Sequence, residues 1–536
     1  MFPNWQLVSI SLIYIGLLFL IAYLGDKYRH QLAKKGQGII YALTLGVYCT
    51  SWSFLGTTGQ AATNFLSHIP IYLGPILLFI FAWPFIQRII RVSLKLNLTS
   101  IADLLAARFG KSHNLAIIVT LVAFVGTMPY IALQLKAMVY TFQLLQVDQS
   151  LSSWHIGLVV SLVLVGFTIL FGIRNIDVTE RHPGVMLAIA FESLVKIIAF
   201  LAVSLFVCFS LFDSPVDIWQ QSGASLKLEQ QMNVDNVSSM LAMLIIVMAA
   251  FLSLPRQFQV MVVELKDQKD TWLGRRVFPL YILVFAFFAA PLGLAGQLLL
   301  GDTVPSDAYV LFLPRVGGQT WLTLFTFLGA VSAASSMVII SAIALSTMLS
   351  NEIVFPLLYR QQKVAQTNYE NFRRRLLNIR KLLILFVVLS GYGVFIMASP
   401  DTLSSLGEVA FGAFAQLTPA LVVAFYWRRA SLMGVYAGIL VGFILWLSLN
   451  FLPQFGLYAS PFAEGLLPAK TTATLFSLAA NIIVMWALSQ ISRQSVQERV
   501  QASLFLEWQS PTLLRVEKKR QLDVQELELL ASRFVG

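Results

Sequence analysis

The sequence predicts an all-α membrane protein with about 13 transmembrane helices, and three observations lead there. Of its 536 residues, 57% are hydrophobic and only 12% are charged, roughly half the charge of a soluble domain. Apolar windows of roughly 20 residues, the length that crosses a bilayer as a helix, recur along nearly the whole chain. The basic residues between those windows fall on alternate sides.

The windows run over about 6–24, 38–60, 70–92, 115–143, 155–173, 184–212, 237–257, 277–299, 320–350, 380–398, 403–427, 430–452 and 471–491. The first lacks a basic front and a small-residue cleavage site, so it reads as a retained anchor. Segments after the odd-numbered windows hold 32 of the 37 Lys and Arg; the other side holds Lys227, Arg315 and Lys470, and Lys136 and Lys196 fall inside windows. By the positive-inside rule the N-terminus lies outside and the C-terminus in the cytoplasm. The net charge of +11 is then a topology signal with anionic lipid as its partner, and nucleic acid is not expected. Residues 1–491 form the membrane domain; 492–536 form a tail of alternating apolar and charged residues. Cys49 and Cys208 sit in apolar stretches and give neither a disulfide framework nor a metal spacing.

The second window is the unusual one. Its apolar start meets Thr50, Ser51, Ser53, Thr57, Thr58 and Gln60, with Gly56 and Gly59 between them. Broken backbone at membrane depth survives only beside protein or a water-filled cavity. The seventh window carries Pro255, which removes a helical hydrogen bond; an ordinary helix end there is the alternative. Interruptions at matching places in two halves are the mark of a LeuT-like 5+5 inverted repeat, here windows 2–6 and 7–11. Gly434, Gly438 and Gly442 make a close-packing face, toward another helix or a second copy.

Phe54-Leu55-Gly56-Thr57-Thr58-Gly59 resembles the first core helix of the solute:sodium symporter family. Gly412-Ala413-Phe414-Ala415-Gln416-Leu417-Thr418-Pro419 followed by Trp427-Arg428-Arg429 is similar to its eleventh span, and Ser332, Ser335 and Ser336 followed by Ser350-Asn351-Glu352 to its sodium-site helix. Pro129-Tyr130-Ile131-Ala132-Leu133-Gln134-Leu135-Lys136-Ala137 and Pro255-Arg256-Gln257-Phe258-Gln259-Val260 look like the transporter module of CbrA-type sensor histidine kinases. The last residues, 527–536, resemble the opening of the small STAC domain that links that module to its kinase.

The resemblance implies a bacterial inner-membrane location and sodium as coupling ion, with no other cofactor. A sodium ion takes about five or six oxygen donors, by extension from other hard cations. The implied ligands are the carbonyls of Gly46, Cys49 and Ala333 and the hydroxyl of Ser336. The family usually has two adjacent hydroxyl residues here; an ungapped alignment puts Met337 at the second place, and a one-residue shift uses Ser335 and Ser336. Many members carry an acidic or amide residue where Tyr48 stands. Tyr48, Thr50, Ser53, Tyr130, Gln134, Gln257 and Gln416 are the substrate-binding candidates, each a polar group at a depth where unsatisfied groups are costly. Glu192 and Lys196, four apart on one helix face, can pair, and Lys136 can snorkel.

No metalloprotease helix, P-loop or nucleophile elbow is present, so an enzyme is not expected, and no kinase phosphoacceptor or ATP-binding segment occurs. The expected function is sodium-coupled transport of a small solute, an amino acid such as histidine or proline or a carboxylate. The alternative is a solute sensor acting on a cytoplasmic kinase or regulator.

Overall fold

The computed structural model describes residues 2–29, 31, 36–147, 152–173, 181–359, 369–398, 403–463 and 465–506. Among these the chain is helical throughout, with one isolated bridge between Phe2 and Gln146. Helices able to cross a membrane number 11, or up to 13 with two bent pairs counted as spans. The protein is therefore a multi-pass membrane protein, and the expected fold class holds.

The spans in order are α1 (Asn4–Lys27), the bent pair α2 (Gln37–Tyr48) and α3 (Trp52–Thr63), and the bent pair α4 (Ile69–Phe81) and α5 (Trp83–Leu96). After the short helix α6 (Ile101–Arg108) come α7 (His113–Leu145), α8 (Ser153–Gly172), α9 (Pro183–Leu211) and α10 (Val234–Ser253). The short α11 (Pro255–Phe258) follows, then α12 (Gln268–Leu299), α13 (Thr320–Leu358), α14 (Arg373–Met397), α15 (Leu403–Tyr426), α16 (Leu432–Phe455), α17 (Ala469–Ile491) and α18 (Val496–Leu506).

Both expected interruptions are real. The second span turns by 68° between α2 and α3, where Cys49 is extended at φ −74°, ψ 102°. The seventh breaks at Leu254, extended at φ −62°, ψ 118°, one residue before the proline that cannot donate. The third window is corrected. It is not one span over 70–92: the chain turns by 76° at Ala82, and α5 is strongly amphipathic, burying Trp83, Phe85, Ile86, Ile89, Ile90 and Val92, as a helix lying along a membrane surface does.

Lipid tails are as apolar as leucine, so close packing and hydrogen bonds hold such a bundle together. α9 lies against α1, α2 and α13; α7 against α13 and α15; α12 against α2 and α3. The glycine row finds its partner within the chain. A Cβ at Gly434 would meet the Ser489 hydroxyl at 2.1 Å, and one at Gly438 the Asn481 carbonyl at 2.8 Å, so α16 and α17 touch backbone to backbone. The segment after Leu506, including the STAC-like stretch, lies outside the described residues.

Candidate functional site

The site lies where the two breaks face α7, α9 and α13. Thr50, the first residue after the Cys49 kink, shares a hydrogen bond of 3.1 Å with the Tyr130 hydroxyl on α7. One turn further along α7, Gln134 accepts from the Ser51 amide at 3.2 Å and the Ser51 hydroxyl at 2.8 Å. These bonds satisfy donors that a straight helix would have paired internally. Tyr130 stacks on Phe411 with centroids 5.7 Å apart, and Phe411 meets Trp52 edge-on at 5.2 Å. The Arg256 guanidinium carbon lies 4.2 Å from the Tyr130 ring centroid, a cation–π contact.

Arg256 is buried, and its Nε and one Nη have no hydrogen-bond partner; the same holds for both side-chain polar atoms of Gln257 and for the Gln134 amide nitrogen. Buried native polar groups are nearly all bonded, and an unpaired charge at such depth marks a ligand or ion pathway by default. Three side chains at the two breaks carry unsatisfied polar atoms. The structure thus brings together Thr50, Tyr130 and Gln134 of the substrate candidates and adds Arg256 and Phe411; Gln257 follows Arg256 on α11. Arg256 follows Pro255 directly, so a charge count assigns it to the basic loop; the four-residue turn α11 carries it inward instead.

The other three candidates hold the scaffold. The Tyr48 hydroxyl donates to the Ile71 carbonyl at 2.7 Å, an acceptor left without its helical partner because Pro75 has no N–H. The Ser53 hydroxyl accepts from the Thr50 amide at 3.3 Å, and its carbonyl accepts from the Tyr72 hydroxyl at 2.8 Å. Gln416 turns away from the breaks: its amide donates to the Ser477 hydroxyl at 2.9 Å, and Asn481 donates to its backbone carbonyl at 2.8 Å.

The carbonyls of Gly46 and Cys49 do converge, but on a side chain. The Lys196 ammonium donates to them at 2.7 and 2.6 Å. Ser335 donates to a Glu192 carboxylate oxygen, and Ser336 to its own helix at the Ser332 carbonyl, 3.0 Å away. The Ala333 carbonyl has the Ser336 hydroxyl at 3.5 Å, and Met337 is buried with only a thioether to offer. A second cation beside the ammonium would meet strong repulsion in a low-dielectric interior. With Lys196 in place this donor set does not fit a sodium ion. The expected Glu192–Lys196 pairing is likewise replaced, since the two side chains reach different helices.

Toward the basic ends of the helices, Glu264 accepts from the His182 amide at 2.9 Å and lies 2.7 Å from its Nδ1. Burial pushes the Glu264 carboxyl up, but the His182 charge and the hydrogen bonds outweigh it and hold the group below its ordinary value. At the opposite ends, Lys136 lines a crevice with Tyr140, Gln143 and Ser153.

Residues 36–442 match the sodium:solute symporter family. Among solved structures, a Na+-coupled sialic acid symporter in a substrate-bound outward-open state is similar with a TM-score of 0.67 at 15% identity, over 93% of this chain and 99% of that one. A nucleobase-cation-symport-1 family transporter, closed with bromovinylhydantoin bound, matches with a TM-score of 0.45 at 14% identity, over 87% and 95%.

Proposed function

The chain belongs to the sodium:solute symporter family, and we propose that it moves a small organic solute bearing a carboxylate, such as histidine, proline or a simple carboxylic acid, across the bacterial inner membrane by alternating access. Arg256 is the observation that carries this reading. Its guanidinium is sealed at the second helix break with donors unused, and its planar fork matches a carboxylate with two parallel hydrogen bonds. Tyr130 and Phe411 would pack the solute's body, while Gln134 and Gln257 would bond its remaining polar groups. Broken helices at mid-membrane let such a site open to either side as one repeat rocks against the other. Family membership supports sodium as the coupling ion, and the basic-residue count supports an outer N-terminus and a cytoplasmic C-terminus.

The test is uptake by purified protein in liposomes under an inward sodium gradient, over amino acids, organic acids, glucose and uracil. A carboxylate should accumulate, and Arg256→Gln should abolish its uptake. Uptake of an uncharged solute alone, unaffected by Arg256→Gln, would reject the reading.

A second reading, solute sensing relayed to a cytoplasmic partner, is supported by how α18 docks. Arg88 on α5 donates to the Phe505 and Leu506 carbonyls at 2.8 and 2.9 Å, and Glu498 accepts from the Leu432 amide at 2.8 Å. Motion of the bundle would therefore reach the tail. Hydrogen exchange over 496–506 that is indifferent to a bound solute would reject this reading.

A further inference from the structure

The donors that the family resemblance assigns to sodium are already engaged: the Gly46 and Cys49 carbonyls and Ser335 by α9, and Ser336 within α13. α9 sends Lys196 to the broken span and Glu192, one turn earlier, to α13. The Lys196 side chain is fully buried. Its ammonium bridges one carbonyl within the Leu45–Tyr48 turn and one just after it, 2.7 Å from Gly46 and 2.6 Å from Cys49. Those carbonyls point inward because Cys49 is extended and the helix cannot continue through it. On the α13 side, Ser335 bonds the Glu192 carboxylate, Ser332 donates to the Glu192 backbone carbonyl at 2.8 Å, and Tyr14 of α1 donates to Ser332 at 2.9 Å. Tyr281 of α12 closes the remaining face through the Ser193 carbonyl at 2.7 Å.

We propose that the Lys196 ammonium is a built-in cation that stands where this donor set would otherwise hold sodium, so that the junction between the broken span and α13 closes without sodium at that place. The chemistry is the same for either cation: a single positive charge, small enough to be held by two carbonyl oxygens at under 3 Å, offsets the dipoles of a broken helix end. The difference is that a tethered cation is always present. An ion bound from solution stabilises the folded protein by an amount that rises with the logarithm of its concentration above its dissociation constant; Lys196 does so at any sodium concentration. This inference deepens the transport reading at its coupling arm.

The experiment is thermal unfolding of the purified full chain in NaCl against KCl at equal ionic strength, with no solute, so its outcome is separate from that of the uptake assay. The wild type should unfold at the same temperature in both salts. Lys196→Ala empties the space between the carbonyls and should gain a saturable upward shift in NaCl alone. Absence of that gain in a folded Lys196→Ala protein would overturn the proposal. Should that variant not fold, wild type and Ser336→Ala decide it: equal midpoints in both salts for both proteins support the built-in cation. A sodium-dependent shift in the wild type that Ser336→Ala removes would overturn it.

Discussion

The two helix breaks are alike in backbone and opposite in what they do with a cation. At the first, between α2 and α3, the carbonyls of Gly46 and Cys49 both accept from the Lys196 ammonium. At the second, between α10 and α11, the chain delivers Arg256 itself and leaves part of it unbonded. The first break is complete as a piece of structure. The second keeps donors unused, and these are what the proposed carboxylate would bond. A shared interruption therefore does not imply a shared role, and the hydrogen-bond inventory of each break tells them apart.

The sharpest way to break this comparison is to remove the two cations in turn. Lys196→Met takes away two charge-assisted bonds, each worth about 1.5–3 kcal/mol, and leaves the Gly46 carbonyl with only the Cys49 amide. It should lower stability in KCl by about 3–5 kcal/mol, read as a large fall in the unfolding midpoint. An unchanged midpoint would mean that the ammonium does not hold the break. Arg256→Gln should act the other way round. Uptake of the carboxylate solute should fall about 100-fold, equivalent to about 2.8 kcal/mol, while the midpoint holds or rises, since losing an unpaired buried charge removes a desolvation cost. A collapse of stability in Arg256→Gln would make both breaks structural.

Tyr48→Phe sharpens the same line between scaffold and site. Tyr48 lies beside the first break but caps the Ile71 carbonyl that Pro75 exposes. The variant should lose about 1–2 kcal/mol of stability, the cost of one unsatisfied buried acceptor. Its uptake per folded molecule should match the wild type. A selective loss of uptake would return Tyr48 to the lining of the substrate site.

The sequence made the bundle legible because its signals are averages over many residues. Window length marked the 11 straight crossings and the two bent pairs among the described residues, and Pro255 and the hydroxyls after Thr50 marked both breaks. Single side chains were another matter. Arg256 sits one residue past a helix end, so its charge read as a loop charge; only the inward turn of α11 shows otherwise. Gln416 looked like a cavity donor because it is polar at depth, yet its depth is satisfied by Ser477 and Asn481. Lys196 and Glu192 lie four apart and suggested a mutual pair, whereas each found a better partner on a different helix. The averaged hydropathy of window three ran straight across the turn at Ala82. In each case the missing information was direction, which hydrophobicity and spacing do not carry.

The smallest effect is expected where the extramembrane cap meets the first break. Asp307, in the connection between α12 and α13, accepts from the Leu403 amide at the start of α15 at 3.1 Å. It also presses on α3, where a Cβ at Gly59 would lie 2.4 Å from its carboxylate. Burial raises the Asp307 carboxyl to about 6, against the opposing pulls of the Leu403 amide and the Lys136 charge. A carboxyl raised in the folded state binds its proton more tightly than the unfolded chain does. Stability therefore increases as pH falls through about 6, and the cost of ionisation is fully present above that. Because the residue is only partly buried, screening reduces the effect to about 1 kcal/mol. Asp307→Asn should flatten the pH dependence of the unfolding midpoint between pH about 4 and 7 and leave the contrast between the two breaks untouched. If Asp307→Asn instead reproduces the Lys196→Met loss, the cap and the first break form one unit, and the ammonium does not hold that break alone.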